Sequence, residues 1–171
     1  MSDGQSILFL GGARSGKSRI AQAEAEKGSG ELVYIATAEA LDAEMTDRIG
    51  RHRADRGPRW RTVECPIDLA GAIGRESAPG RTLLVDCLTL WLSNLMFAER
   101  DLEEATGELM AAIGAAPGEL MFVSNEVGFG IVPENALARA FRDEAGRLNQ
   151  AVAAQVDSVS FVAAGLTLKL K

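Results

Sequence analysis

The chain has 171 residues, of which 47% are hydrophobic and 25% are charged, a balance typical of one soluble globular domain. Its formal net charge of −6 leaves no basic excess for binding nucleic acid, so we expect no nucleic-acid partner. The longest apolar segment, residues 88–98, is too short to span a bilayer, and no basic segment precedes an apolar leader. We therefore expect a cytoplasmic protein without a membrane partner, in which Cys65 and Cys87 are packed thiols.

A glycine-rich loop follows the first predicted strand, residues 7–10, and opens a helix-forming segment. It has the spacing G-x-x-x-x-G-K-S of a P-loop, and its residues are Gly11, Gly12, Ala13, Arg14, Ser15, Gly16, Lys17 and Ser18. Glycines let successive backbone N–H groups point at phosphate oxygens, and the helix N-terminus adds positive charge. Lys17 would reach the β- and γ-phosphates and Ser18 would bind Mg²⁺. The loop predicts a nucleoside triphosphate site; a glycine-rich turn that binds nothing is the alternative.

The rest of the chain alternates predicted strands with predicted helices. Further strands are predicted over residues 31–37, 60–64, 82–86 and 120–124, and helices over residues 42–56, 66–76, 88–98 and 102–115. A long helix is predicted after Pro133, with an apolar stripe made by Leu137, Phe141, Leu148 and Val152. Residues 158–164 and 166–170 predict a terminal β-hairpin that turns at Gly165. The order predicts an α/β fold of the P-loop NTPase type, one domain over residues 1–171, with a mainly parallel sheet and helices on both faces.

Ligands of such sheets bind at the carboxyl ends of the strands, so the residues that follow each strand are candidates for the site. Asp86 ends a run of apolar residues, which is the position of a Mg²⁺-binding carboxylate in P-loop proteins; a helix N-cap is the alternative. Asn125 and Glu126 follow the next strand and are expected near the γ-phosphate. The glycines after them are also compatible with a simple connection between strand and helix.

His52 is the only histidine of the chain, and it lies on the predicted helix of residues 42–56. Arg48, Arg51, Arg53 and Arg56 surround it in an otherwise acidic protein. Such a cluster attracts a triphosphate and disfavours the imidazolium ion, which keeps the imidazole neutral and nucleophilic. A neutral imidazole nitrogen is able to attack an α-phosphorus atom. The alternatives are a packed or solvated helix histidine and a solvated charged face.

Several of these segments together resemble one family, the bifunctional adenosylcobinamide kinase / adenosylcobinamide-phosphate guanylyltransferase of cobalamin biosynthesis. The similar segments, in chain order, are residues 11–18, 34–38, 48–52, 60–64, 125–135, 141–143 and 149–150. The resemblance runs from the first strand to the closing residues 168–171. The P-loop alone is unspecific, whereas the loop of residues 125–135 together with the His52 segment is specific.

The resemblance implies two reactions on a corrinoid substrate. Adenosylcobinamide is phosphorylated with ATP or GTP, and GMP is then transferred from GTP to that phosphate through a guanylylated histidine, which would be His52. Nucleotide contacts are implied for the P-loop residues and for Ala36, Thr37, Ala38, Arg53, Ala54, Asp55, Arg56, Glu64 and Asp86. Ser18 and Asp86 would bind Mg²⁺, and a homotrimer with the active site between subunits is implied. Some relatives have a second histidine where this chain has Arg51.

Two other functions are compatible with the same residues. A plain small-molecule kinase would use the P-loop and leave His52 with a structural role. A nucleotide-dependent switch would only hydrolyse nucleotide slowly and would bind a partner protein. Trp60, Trp91 and Phe129 are candidates for packing on a large ligand, although such residues are more often part of a core.

Overall fold

The computed structural model describes residues 4–39 and 56–171. Within them, seven strands form one sheet: β1 (Ser6–Gly11), β2 (Glu31–Ala36), β3 (Trp60–Glu64), β4 (Arg81–Asp86), β5 (Glu119–Asn125), β6 (Ser158–Ala163) and β7 (Leu166–Lys169). The helices described are α1 (Lys17–Ala25), α2 (Leu69–Glu76), α3 (Leu88–Phe97), α4 (Leu102–Ala115) and α5 (Ala136–Gln155). The helix predicted over residues 42–56 lies outside the described residues, apart from Arg56.

The strands lie in the order β3-β2-β4-β5-β1-β6-β7, and each neighbouring pair is parallel except the antiparallel hairpin of β6 and β7. This confirms the predicted α/β fold with a mainly parallel sheet and a C-terminal hairpin. The register brings the carboxyl ends of the central strands together: Gly11 pairs with Asn125, and Ala36 pairs with both Glu64 and Asp86. The candidate residues at the strand ends therefore share one edge of the sheet.

Apolar side chains pack on both faces of this sheet, as expected for parallel strands that are buried on each side. On one face, α2, α3, α4 and α5 cover a core that contains Leu8, Phe122 and the fully buried Trp91. On the other face, α1 covers a smaller cluster that contains Phe9 and Leu84. In the described ranges, no helix is long and apolar enough to cross a membrane.

Capping side chains fix where two of the helices begin. Asp68 accepts a hydrogen bond from the backbone N–H of Gly71 at 3.0 Å, so α2 begins at Leu69 and not at Pro66 as predicted. Asn135 accepts hydrogen bonds from the N–H groups of Leu137 and Ala138, so α5 begins at Ala136, three residues after Pro133. In both cases a short polar side chain satisfies the N–H groups that a first helical turn leaves unpaired.

Two predictions of buried apolar side chains are wrong. Leu137, placed in the apolar stripe of the last helix, is 56% exposed, because the first turn of α5 is exposed while the core contacts begin one turn further along the helix, at the partly buried Phe141. Phe129 is 84% exposed in the loop between β5 and α5, where its ring lies 6.2 Å from that of Phe161. Trp91 is a core residue, and Trp60 is half-buried at the edge of the sheet.

Candidate active site

The glycine-rich loop joins the end of β1 to the first residue of α1, as the motif predicts. A Cβ atom at Gly11 would lie 2.3 Å from the carbonyl oxygen of Val162 on β6, so that position admits no side chain while the strands stay paired. Gly16 is the N-cap of α1 and has a φ of 95°, a left-handed conformation that glycine adopts without strain. These two glycines let the loop turn tightly at the carboxyl edge of the sheet and direct the N-terminus of α1 toward it.

Two polar side chains of the loop are buried. Lys17 is 7% exposed, and its ammonium group donates a hydrogen bond to the carbonyl of Gly12 at 3.0 Å. The hydroxyl of Ser15 is buried and has no hydrogen-bond partner among the described residues. A buried polar group without a partner costs about 1–3 kcal/mol, so this hydroxyl indicates that a polar ligand completes the loop. A phosphate oxygen at the N-terminus of a helix is such a ligand.

The C-terminal hairpin contacts the P-loop directly. The backbone N–H of Gly165, in the turn between β6 and β7, donates to the carbonyl of Ser15 at 2.8 Å. The Cα of Gly165 would lie 3.4 Å from a Cβ at Gly16, so the two backbones are close. This contact fixes the outer side of the loop to the last strands of the sheet, and the predicted turn at Gly165 is confirmed.

The end of β5 lies beside the P-loop and is held by a buried polar network. The N–H of Glu126 donates to the carbonyl of Gly11 at 3.0 Å. Behind it, the hydroxyl of Ser124 donates to the side-chain oxygen of Asn149 at 2.6 Å, and the N–H of Asn125 donates to the hydroxyl of Thr89 at 2.7 Å. The network connects α3, β5 and α5. Thr89 was not predicted as part of the site, because its only signal is a polar residue in an apolar segment.

Asp86 ends β4 at the same edge and is half-buried. It is not the N-cap of α3: that position is Cys87, where no side chain makes a capping hydrogen bond. Tyr34 on β2, a side chain with a hydroxyl group, lies on the same face of the sheet, because its register partner Leu84 precedes Asp86 by two residues. Burial and then the negative charge of Asp86 raise the pKa of Tyr34 well above its usual value, which keeps this hydroxyl protonated and able to donate.

Arg56 is buried next to this pair. Its guanidinium carbon lies 3.5 Å from the centroid of the Tyr34 ring, a cation–π contact, and its Nε atom is buried with no hydrogen-bond partner in the part of the chain described. Only 8% of Arg56 is exposed. An unpartnered N–H of a buried cation is suited to an anionic ligand, in line with the nucleotide contact implied for Arg56.

Thr37 is fully buried at the end of β2 and joins two strand ends. Its hydroxyl donates to the carbonyl of Cys87 and accepts from the N–H of the same residue, both at 2.8 Å. Its carbonyl accepts from the side chain of Asn94 at 2.7 Å. The Thr37 hydroxyl is therefore engaged in holding the start of α3, and Ala36 beside it is also buried.

Both cysteines are free and buried, as predicted. Burial is the main cause that raises the pKa of the Cys65 thiol to about 11, and burial also raises the pKa of Cys87. Neither thiol is ionised at neutral pH, so neither is a reactive nucleophile in this structure.

The remaining candidate residues divide into two groups. Glu64 is exposed at the end of β3, in line with Ala36 and Asp86 across the sheet, while Ala13 and Arg14 are exposed at the tip of the P-loop. His52, Arg53, Ala54 and Asp55 lie outside the described residues. Within residues 4–39 and 56–171, no group of three or more His, Cys, Asp or Glu side chains could hold a metal ion.

Comparisons with known proteins agree over almost the entire chain. Residues 7–170 match the family model described as cobinamide kinase / cobinamide phosphate guanyltransferase. The bifunctional adenosylcobalamin biosynthesis protein CobP of Pseudomonas aeruginosa is 49% identical over 167 residues, which are 96% of each chain. The proteins named CobU, with the same description, from Salmonella typhimurium and Escherichia coli are 44% and 42% identical and are matched over 96% of this chain and 99% of their own.

Among solved structures, the P4 protein from bacteriophage phi6 in complex with ADP aligns with 96% of this chain and 54% of its own. The TM-score is 0.47 and the sequence identity is 15%. This chain thus spans about half the length of the P4 protein.

Proposed function

This chain belongs to the cobinamide kinase / cobinamide phosphate guanyltransferase family, and we propose that it carries out both reactions within a single catalytic domain, residues 1–171. It is an enzyme of adenosylcobalamin biosynthesis with kinase and guanylyltransferase activities. In the proposed sequence, adenosylcobinamide is first phosphorylated with ATP or GTP. GMP from GTP is then joined to that phosphate, which gives adenosylcobinamide-GDP and pyrophosphate. The buried free cysteines support action in the reducing cytoplasm.

The observation that carries the proposal is the P-loop, which is shaped for a triphosphate in a chain of this family. Its glycines fix the turn, Lys17 is buried at its base, and Ser15 has a buried hydroxyl without a partner among the described residues. In the kinase step we assign Lys17 and the backbone N–H groups to the β- and γ-phosphates, where they stabilise charge as the γ-phosphoryl group moves to the substrate hydroxyl. The same loop would bind the β- and γ-phosphates of GTP in the second step.

We assign a bound Mg²⁺ to the residues at the sheet edge, as the P-loop motif and the family resemblance imply. Ser18 in the first turn of α1 and Asp86 at the end of β4 supply oxygen atoms, the donors that Mg²⁺ prefers, and we assign both as its protein contacts. A small protein ligand set suits this ion, which usually keeps several waters and binds the phosphates of its substrate. When bound, Mg²⁺ would neutralise charge on the phosphate oxygens.

We assign the nucleophile of the second reaction to His52, the only histidine of the chain. A ring nitrogen of the neutral imidazole attacks the α-phosphorus of GTP, so that an N–P bond forms while the bond from the α-phosphorus to the bridging oxygen breaks and pyrophosphate leaves. A phosphate oxygen of adenosylcobinamide phosphate then attacks the same phosphorus atom, and the N–P electron pair returns to the imidazole. The neighbouring arginines support this role because they disfavour the protonated ring.

The experiment that tests the two reactions uses GTP labelled at the α- or the γ-phosphorus, with Mg²⁺ and no corrinoid. We expect protein-bound label from the α position only, stable in base and labile in acid, as for a phosphoramidate. Adenosylcobinamide added later should receive phosphate first and then release the bound label as adenosylcobinamide-GDP. Phosphorylation without any protein-bound α-label would leave a plain kinase, and the absence of both would favour a nucleotide-dependent switch.

We also propose that the enzyme is a homotrimer with the active site between subunits, as the resemblance implies. The support is an apolar surface made by Leu166 and Leu168 on β7 and by Leu170 directly after it, which alternate along the chain and are 58–75% exposed. Leu168 pairs with Phe161, whose ring contacts the exposed Phe129, so the surface continues onto the loop after β5. An exposed apolar edge strand is typical of a surface that another chain covers.

Replacing Leu168 with glutamate should weaken this association, because a carboxylate would be buried in the contact without a partner. The measurement is sedimentation velocity over a series of protein concentrations. We expect the concentration below which the trimer dissociates to be roughly tenfold or more higher for the variant than for the unsubstituted chain. Phe97→Glu, which changes a 78% exposed residue on α3, is the matched control and should remain trimeric. A Leu168→Glu variant that sediments like the unsubstituted chain would exclude β7 from the interface.

A further inference from the structure

The strand β5 lies between the two strands that lead to the proposed phosphate and metal contacts. On one side it pairs with β1, which runs into the P-loop, and on the other side with β4, which ends in Asp86. Its last residue, Asn125, pairs with Gly11. Asn125 is on the face of the sheet that α1 covers, because Val123, two residues earlier, belongs to the apolar cluster under α1. Asn125 is therefore placed at the carboxyl edge of the sheet, between the P-loop and Asp86.

Side chains from the opposite face hold the backbone of Asn125. In the register of the two strands, β5 runs two residues past the end of β4. There the N–H of Asn125 donates to the hydroxyl of Thr89 at 2.7 Å, and its carbonyl accepts from the side-chain amide of Asn149 at 3.3 Å. The hydroxyl of Ser124 donates to the amide oxygen of Asn149 at 2.6 Å, which fixes the orientation of that amide. These three buried side chains take the place of the neighbouring strand and fix the backbone of Asn125.

The side chain of Asn125 itself makes one weak contact. Within the described part of the chain, its only hydrogen-bond contact joins the amide nitrogen to the sulfur atom of Cys87, at 4.0 Å. An amide N–H donates to a phosphate oxygen without carrying a charge that repels it. The next residue, Glu126, has a carboxylate, and this group accepts from the N–H of Gly128 at 2.6 Å. Of the two polar residues at this strand end, Asn125 is therefore the one suited to a phosphate.

We propose that the side-chain amide of Asn125 donates a hydrogen bond to the γ-phosphate of the bound nucleotide, and that Thr89 and Asn149 are positioning residues that hold it in place. The inference rests on the proposed function, in which the P-loop binds the triphosphate and Asp86 contacts the metal ion. In P-loop proteins the γ-phosphate lies between these two groups, and β5 ends between them. In the kinase step the amide stabilises charge on the γ-phosphoryl group as it moves to the substrate hydroxyl.

The test compares two nucleotides that differ only in the γ-phosphate. They are GTP and GDP with a methylene group in place of the oxygen between the α- and β-phosphorus atoms, so neither is consumed when corrinoid is absent. Their Kd values are measured by isothermal titration calorimetry with Mg²⁺. For Asn125→Ala we expect the Kd of the triphosphate to rise about tenfold or more, as for a lost hydrogen bond to a charged group, and the Kd of the diphosphate to stay unchanged. For Thr89→Val and Asn149→Leu we expect a rise of about threefold for the triphosphate alone, because one neutral hydrogen bond behind the amide is lost.

Thr82→Val is the matched control for Thr89→Val. The hydroxyl of Thr82 is also buried and also forms a hydrogen bond of 2.7 Å, to Glu119, but at the amino edge of the sheet. General loosening after loss of a buried hydroxyl affects both nucleotides alike, so the ratio of the two Kd values should be that of the unsubstituted chain. Thr89→Ser keeps the hydroxyl and should also keep this ratio.

The ratio of the two Kd values separates the possible results. If Asn125→Ala leaves it unchanged, the contact with the γ-phosphate is wrong. If Asn125→Ala changes it but Thr89→Val does not, or Thr82→Val changes it equally, the positioning role of Thr89 is excluded. Lys17→Ala identifies a failure of the proposed function: if this variant binds both nucleotides as tightly as the unsubstituted chain, the P-loop is not the phosphate site and the inference falls with it.

Discussion

Replacing Lys17 with alanine should abolish both activities of this enzyme. The buried ammonium group lies at the base of the P-loop, and in the proposed function it stabilises phosphate charge in the kinase step and in guanylyl transfer. Removing one preorganised donor from such a site typically costs a factor of 10²–10³ in rate, so we expect kcat/KM of each reaction to fall by at least about 10²-fold. The two reactions are followed separately, by transfer of γ-labelled phosphate to cobinamide and by release of pyrophosphate from GTP.

A lysine just after the same helix offers a matched control for this substitution. Lys27 lies just beyond the end of α1, and it is exposed and forms an ion pair with Glu24 three residues before it. Exposed pairs of this kind contribute about 0–1 kcal/mol, so Lys27→Ala should keep both activities and nearly the same melting temperature. If Lys17→Ala retained either reaction at the level of Lys27→Ala, the P-loop would not be the phosphate site of that reaction.

The sheet was predictable from the sequence because its signal is local. The runs of apolar residues in β1, β2, β4 and β5 are short and bounded by glycine or polar residues, and the P-loop motif specifies a loop and a helix after the first of them. The hairpin was predictable for the same reason, because Gly165 stands between two short apolar segments. In the structure it has a φ of 75° in the turn between the strands, a conformation that glycine adopts without strain. Alternation of strands and helices then determines the placement of Asp86, Asn125 and Glu64 at one edge.

Contacts between residues far apart in sequence were not predictable in this way. Nothing near Thr37 indicates its two hydrogen bonds with Cys87. These depend on the register between β2 and β4, which no local pattern encodes. The errors at Leu137 and Phe129 have a related cause: periodicity shows that a residue is apolar, but only the assembled fold shows where the core ends.

The fold also explains why the P-loop depends on the end of the chain. Gly11 lies against the carbonyl of Val162, and Ser15 is bound by the N–H of Gly165, so β6 and the hairpin turn form one wall of the loop. The strand after this turn, β7, carries the apolar surface assigned to the subunit contact. The proposed interface and the phosphate site are therefore built on the same hairpin.

Replacing His52 with alanine should separate the two activities. As the proposed nucleophile it forms the bond to the α-phosphorus, and loss of the nucleophile from a covalent mechanism removes the intermediate altogether. We expect guanylyl transfer to fall roughly 10³-fold or more and protein-bound α-label to disappear. Phosphorylation of cobinamide should continue at a rate within a few-fold of the unsubstituted enzyme, because the P-loop is unchanged. The measurement is protein labelling and cobinamide phosphorylation with α- and γ-labelled GTP, run on both proteins.

The chain has a single histidine, so it offers no second histidine for a matched control variant. The kinase reaction of the same variant serves instead as the internal control for folding. His52→Gly with added imidazole tests the nucleophile more directly, since free imidazole is able to attack the α-phosphorus from the space that the side chain vacates and restore part of the transfer. Restoration of transfer by imidazole, but not by an equal concentration of a non-nucleophilic buffer of the same pKa, would assign the N–P bond to this position. Transfer that persists in His52→Ala with α-label still on the protein would place the covalent bond on another residue, and loss of both reactions would give His52 a role in binding nucleotide instead.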